Sequence, residues 1–474
     1  METEFSKLNI SDENSNKDSN LENISQKNCS YCNKPFTKEL WCKECDPFRM
    51  IEGWTSRNND IDKFIKDIIY DARKSNGRFY DFKILEWVPF DRFEDLKQIG
   101  EGGFAKVYSA TWIDGKVKYF KQDDGSWKKR ESESIKVALK RLNGSQNMSA
   151  EYLNELKIHW KFTVLSDFLL KFYGITKDPE TEEFLMILDV AQKGNLRSFL
   201  SSNFNKILWN HKIGHLYWIA SNLDDLHGLG YFHKDFHSGN ILQISDYKSY
   251  ISDFGLSGPS NKQKSDDKIC GVLPYIAPEV LNKEPYTFSS DIYSFGVIMA
   301  ELSSGKPPFY ERKHDLSLAL EICNGLRPEF GKGTPEIYKK LAYKCMNANS
   351  NQRPTAKELY DIISFWYNSF DEHYQEIEKY GYKGKEIKAI FEEADKEIPN
   401  ISTTYKKISD AIYTSRLFAF NNLTKPVNSS IITSYLDDDE NNEDNQDSQL
   451  VDLEVSSSLL QSKDDISNEN SIVN

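Results

Sequence analysis

Tyr231-Phe-His-Lys-Asp-Phe-His-Ser-Gly-Asn-Ile-Leu242, followed closely by Ile251-Ser-Asp-Phe-Gly255, is the stretch of this 474-residue chain that decides its fold. The gap between the two pieces suits a short hairpin, which would bring Asp235, Asn240 and Asp253 near one another. Each piece alone is ordinary: an Asp-Phe-Gly is a common turn, and a His-Lys-Asp triplet a common solvated loop. Their meaning depends on what flanks them.

Upstream, Ile99-Gly-Glu-Gly-Gly-Phe-Ala-Lys-Val-Tyr108 is a glycine-rich turn between two apparent strands. Missing side chains at Gly100, Gly102 and Gly103 let backbone N–H groups approach a nucleotide's phosphates. Taken alone it reads equally as a hairpin, and Ala105 stands where the usual third glycine would be. Next, Val137-Ala-Leu-Lys140 ends an apolar strand on a lysine, after an insertion from about Asp114 to Ser134. The helical pattern of Ser149 to Phe162 then offers a carboxylate partner. Glu155, set between Leu153 and Leu156, is preferred, with Glu151 as competitor. Downstream come Ala277-Pro-Glu279, Asp291 in a Ser-Asp-Ile-Tyr-Ser-Phe-Gly run, and Arg353 in Asn-Gln-Arg-Pro.

This ordered set resembles the protein kinases, across roughly 275 residues by the span of its motifs. The resemblance implies an α+β, bilobal fold: a small β-rich lobe and a larger α-helical lobe. It implies that Asp235 orients the acceptor hydroxyl and takes its proton, and that Asn240 and Asp253 hold Mg²⁺. Lys140 paired with Glu155 would anchor the α- and β-phosphates of ATP. Ile99, Val107 and Ala138 would sandwich the adenine, Leu188 would be the gatekeeper, and Asp189 to Ala191 the hinge; core packing explains the same apolar residues. Glu279 would pair with Arg353. The substrates implied are proteins, phosphorylated on hydroxyls. Within the superfamily the loop most resembles the tyrosine-kinase-like group and an expanded fungal set, which favours serine/threonine over tyrosine; a pseudokinase scaffold is the alternative.

Two departures stand out. Lys234 replaces an arginine that in the family grips an activation-loop phosphate, so a point charge stands in for a bidentate fork and control by loop phosphorylation would be weaker. His237 and Val272 replace a lysine and a threonine common in serine/threonine kinases. Ser257, Ser260 and Ser265 are candidate phosphosites, or plain loop residues.

The rest of the chain divides by composition. Residues 1–27 are too polar to offset the entropy of ordering and are expected to be disordered. Cys29, Cys32, Cys42 and Cys45 form two C-x2-C pairs in segment 28–49, a four-cysteine zinc-ribbon-like site or free or redox-active thiols; the fungal set shares this start. A helical linker is expected over 50–89, with Ile61, Phe64, Ile65, Ile68 and Ile69 on one face; the kinase domain over 90–369, closed by a helix ending near Trp366. A partly helical extension covers 370–435, with a charged helix over Gly384 to Lys396, and an acidic disordered tail covers 436–474. Beyond Leu436, twelve acidic residues face Lys463 alone, so most of the net charge of −13 lies there and nothing in the balance favours nucleic acid. The zinc segment or the tail could bind a protein partner. With 28% charged residues, no 18-residue apolar run and no signal-peptide core, a cytosolic or nuclear location is expected, away from membranes.

Overall fold

The computed structural model describes residues 28, 32–35, 55–72, 83–102, 105–116, 118–121, 127–130, 133–165, 170–259 and 269–436. Segment 1–27, Cys29, Cys42, Cys45, Gly103, Ser260, Ser265 and the tail beyond Leu436 lie outside the described residues.

Helix α1 (Asn59–Ala72) begins where the Asn58 side chain accepts from the amides of Asp60 (3.0 Å) and Ile61 (3.1 Å), satisfying two donors that a helix start leaves orphaned. Its isoleucine stripe, Ile61, Ile65, Ile68 and Ile69, is buried in one cluster with Leu142, Leu156, Phe172 and Phe184. The helix therefore docks on the small lobe, and each buried isoleucine contributes about 1.5–3 kcal/mol.

Strand β1 (Glu86–Trp87) precedes the hairpin of β2 (Phe93–Glu101) and β3 (Ala105–Trp112). The short hairpin β4 (Lys118–Lys121) and β5 (Trp127–Arg130) stands in the insertion. Strand β6 (Ile135–Leu142), helix α2 (Ala150–Leu165), β7 (Phe172–Lys177) and β8 (Phe184–Leu188) complete the lobe as a six-stranded sheet, ordered β1-β7-β8-β6-β3-β2. Strand β1 falls inside the expected helical linker of 50–89 and joins the sheet: it runs parallel to β7, with Glu86 opposite Gly174. A Cβ on Gly174 would lie 2.3 Å from the Glu86 carbonyl oxygen, so only glycine admits the strand. Two residues are too few to show a period-two pattern in sequence.

The large lobe starts with α3 (Leu196–Asn203) and α4 (Trp209–Gly228). Short strands β9 (Tyr231–Phe232), β10 (Ile241–Gln243), β11 (Ser249–Ile251), β12 (Gly258–Pro259) and β13 (Ile269–Gly271) then carry the quoted stretch. Helices α5 (Pro278–Leu281), α6 (Phe288–Ser304), α7 (Leu316–Cys323), α8 (Glu336–Cys345) and α9 (Ala356–Asn368) build the core. Nearly all of α6 is buried, and it stops at Gly305, whose φ of 71° is the left-handed C-terminal cap.

The lobe continues past Trp366. After a small hairpin, β14 (Glu378–Lys379) with β15 (Tyr382–Lys383), helix α10 (Gly384–Asp395) buries Ile387 and Phe391. The Phe391 ring lies 5.6 Å from those of Trp209 and Trp366. What reads as a charged helix is thus amphipathic, with its apolar edge in the core. From there the chain wraps the lobe through β16 (Arg416–Phe418) to α11 (Ser430–Leu436). The Val427 amide donates to the Cys323 carbonyl (2.9 Å), and the Ala348 amide to the Asn428 side chain (2.8 Å). Among the described residues no helix is long and apolar enough to cross a membrane.

Candidate active site

Lys140 sits near the end of β6, opposite Val107 on one side and Met186 on the other, which fixes its side chain within the sheet's inner face. Its ammonium lies 2.5 Å from Glu155 on α2 and 2.7 Å from Asp253. Glu155 is therefore the partner that helix α2 presents. Burial opposes charge on Lys140, but the two carboxylates outweigh it and push the pKa up. Burial likewise opposes ionisation of Asp253, and Lys140 overrides it, holding the carboxyl at about 2. Burial raises Glu155 against the attraction of Lys140. Asp253 adopts φ of 65°, a left-handed conformation that costs a non-glycine residue about 1–3 kcal/mol and persists where the surroundings fix it. The neighbours that fix it include Phe254, whose ring packs 4.8 Å from His159 of α2 and 5.5 Å from His233.

The hairpin expected between the quoted pieces is β10 and β11, with Ile241 opposite Ile251. It sets the Ser252 amide 2.9 Å from the Asn240 carbonyl. Asn240 in turn donates from Nδ2 to the Asp235 carbonyl (3.0 Å) and carboxylate (3.3 Å), leaving its Oδ1 as acceptor. Asp235 is 7% exposed. Burial resists its ionisation, but His237 and Ser415 hold the carboxyl below its ordinary range. Beneath the loop, Asp291 of α6 is fully buried and accepts from the amides of His233 (2.9 Å) and Lys234 (3.3 Å) and from the Tyr286 hydroxyl (2.6 Å). Glu279 and Arg353 form a buried two-bonded pair, both bonds 2.7 Å.

The remaining expected positions lie on strands β2, β3, β6 and β8 of the small-lobe sheet and on the segment that follows β8. Ala138 stands opposite Leu188 in the β6–β8 register, and both are buried; Ile99 is exposed. Gly100 faces Val107, and the Gly102 amide closes the turn on the Ala105 carbonyl (2.8 Å). In the segment from Asp189 to Ala191, the Asp189 amide donates to the Lys171 carbonyl (3.0 Å).

The family described as protein tyrosine and serine/threonine kinase matches residues 93–363. The chain belongs to the protein kinases. This kinase is similar to a protein of Acanthamoeba polyphaga mimivirus named as a serine/threonine-protein kinase/receptor, 28% identical over 66% of this chain and 18% of that one. It is similar also to the Dictyostelium discoideum serine/threonine-protein kinases drkB (27% identical; 56% of this chain, 36% of that one) and pats1 (28%; 58% and 8%). The chain thus spans well under half the length of these curated relatives.

Two features of the kinase escape a sequence reading. Gly271, at φ of 143°, brings β13 beside the catalytic loop: a Cβ there would lie 3.5 Å from Asp235 Oδ1. Ser415, which no local pattern marks, donates to Asp235 Oδ2 at 2.5 Å. His237, noted only as a replacement, accepts from the Gly239 amide at Nδ1 (3.0 Å) and turns Nε2 to Asp235 Oδ1 (3.5 Å).

Proposed function

We propose that this chain is an ATP- and Mg²⁺-dependent protein kinase that transfers the γ-phosphoryl group to serine or threonine hydroxyls of proteins, in signal transduction. The observation that carries the reading is the convergence of Lys140, Glu155 and Asp253 on one side of the cleft and Asp235 with Asn240 on the other. Phosphoryl transfer needs positioning and charge neutralisation more than covalent help. Lys140, held by Glu155, meets the α- and β-phosphates. Asp253 and the Asn240 Oδ1 are hard oxygen donors, the kind Mg²⁺ takes when phosphate and water complete its shell. The ion would neutralise charge on the transferring group. Asp235, held low and oriented by Asn240, accepts a hydrogen bond from the acceptor hydroxyl and takes its proton late. Ile99, Val107, Ala138 and Leu188 would enclose the adenine, with Asp189 to Ala191 as hinge.

The tyrosine-kinase-like grouping and the serine/threonine preference rest on the loop's resemblance and on the names of the relatives. Zinc at Cys29, Cys32, Cys42 and Cys45 rests on the two C-x2-C spacings. Of these only Cys32 is among the described residues. The test is incubation of the full chain with Mg²⁺, labelled ATP and a basic protein acceptor, beside Asp253→Ala. Transfer that disappears in the variant and labels serine or threonine is expected; transfer to tyrosine would correct the substrate class. Absence of transfer despite nucleotide binding would make the chain a scaffold.

A further inference from the structure

Strand β16 pairs antiparallel with β13 of the activation segment: Gly271 faces Arg416, Cys270 faces Leu417 and Ile269 faces Phe418. The residue just before this ladder is Ser415, whose hydroxyl donates to Asp235 Oδ2 at 2.5 Å, within the range of a charge-assisted O–H···O⁻ bond. Its oxygen also lies 3.5 Å from His237 Nε2. A general base is recognised by that geometry, hydrogen-bond reach to the proton it takes. We infer that residues 413–418 occupy the acceptor groove as a tethered substrate, and that Ser415 is phosphorylated by its own chain.

The segment is anchored on both sides of the serine. Tyr413 is buried, with its ring 4.8 Å from the Arg197 guanidinium, its carbonyl accepting from Arg197 Nη1 (3.1 Å) and its hydroxyl donating to the Pro308 carbonyl (2.7 Å). His314 donates from Nδ1 to the Ile412 carbonyl (2.8 Å), and the Arg416 guanidinium donates to the His314 carbonyl. A strap serving only to pack would have no reason to set a hydroxyl on the one carboxylate that deprotonates acceptors. Thr414, the neighbouring hydroxyl, is exposed, so the register selects Ser415. Recognition by main-chain pairing, with specificity from a few anchored side chains, is the mode by which an extended peptide adds to a strand edge. External substrates would accordingly carry a serine with an aromatic residue two places before it and an extended run after it, as Tyr413 and Arg416–Phe418 do here.

The reaction rests on the kinase activity proposed above. Ser415 Oγ forms a bond to the γ-phosphorus of ATP, the bond from that phosphorus to the bridging oxygen breaks, and ADP leaves with its electron pair. The hydroxyl proton passes to Asp235. The product carries about −1.5 to −2 of charge beside the Asp235 carboxylate, a repulsion that expels the strap and opens the groove.

The test uses phosphatase-treated full chain with Mg²⁺ and ATP, with sites mapped by mass spectrometry and amide hydrogen exchange followed in parallel. Expected are phosphate on Ser415, a first-order rate unchanged over a roughly hundredfold dilution, and protection of residues 269–271 and 416–418 that falls after modification. In Tyr413→Ala, and in Arg416→Ala should the first fold poorly, the KM for a synthetic peptide of residues 412–420 should drop about tenfold with kcat little changed, since less of the groove is self-occupied. Transfer to an external protein while Ser415 stays unmodified overturns this inference and leaves the proposed function standing. Modification of Thr414 in its place, or a rate proportional to protein concentration, also overturns it. Transfer to nothing at all overturns both.

Discussion

The two sides of the cleft are built differently. On the side proposed to hold the nucleotide, Lys140, Glu155 and Asp253 meet through charge pairs centred on the buried Lys140, with members from β6, α2 and the loop after β11, all within the span that the family match covers. On the side proposed to take the acceptor, Asp235 meets Ser415, 180 residues further along the chain and held by a three-residue ladder. Charges removed from water must be paired or they cost several kcal/mol, so the first arrangement tolerates little change in residue type. A backbone ladder asks little of its side chains, so the second leaves almost no trace in composition. The difference teaches that the half of a site written in charges is found by motif, and the half written in main-chain pairing is found by structure.

Four outcomes would break or sharpen this contrast. The largest is expected at the charges: Lys140→Ala and Asp253→Ala should each lower kcat/KM about a thousandfold or more, measured by phosphate transfer to an external protein. Asp235→Ala should lose comparable activity yet keep nucleotide affinity, because it serves the acceptor side; equal loss of ATP binding in titration would break the division. Next, Arg353→Ala leaves Glu279 buried without its partner and should cost about 3–5 kcal/mol in denaturant unfolding. Exchange should then rise first over residues 271–277, between the acceptor strand and α5. Third, Ile65→Ala on α1 should cost about 2–4 kcal/mol, with its largest exchange increase in the small lobe, if the docked helix supports the nucleotide side.

The smallest effect concerns Lys212 of α4, which is wholly buried, its amine 4.0 Å from the Phe204 ring and 4.7 Å from that of Trp209. Burial, opposed by Asp395, lowers its pKa to about 7. The unfolded chain, whose lysine titrates at about 10.4, then binds more protons than the folded one between those values. Stability should accordingly rise with pH from about 7 toward 10. Lys212→Met should flatten that rise and lift the Tm at pH 7 by roughly 2–4 °C, read by calorimetry. A lower Tm would show that the amine is charged in the folded chain and that this core tolerates charge as the cleft does.

The order of motifs in the sequence determined the two-lobed plan, and the resemblance it carries pointed to the lysine–glutamate–aspartate set, with Glu151 left beside Glu155 as competitor, and to the Glu279–Arg353 pair, because each needs particular residue types at particular separations. The isoleucine stripe of α1 was legible as a face, but what it covers was not: periodicity reports that a side is apolar and carries no address. Trp366 marked the end of the periodic helices, whereas α10 joins the core through Ile387 and Phe391 on a helix otherwise charged. Tertiary structure alone decided the β1 strand at Gly174, the approach of Gly271 to Asp235, and the seating of Ser415. Each of these depends on backbone meeting backbone or side chain across a large separation in the chain, and main-chain groups are the same at every residue, so the sequence holds no mark of where they will meet.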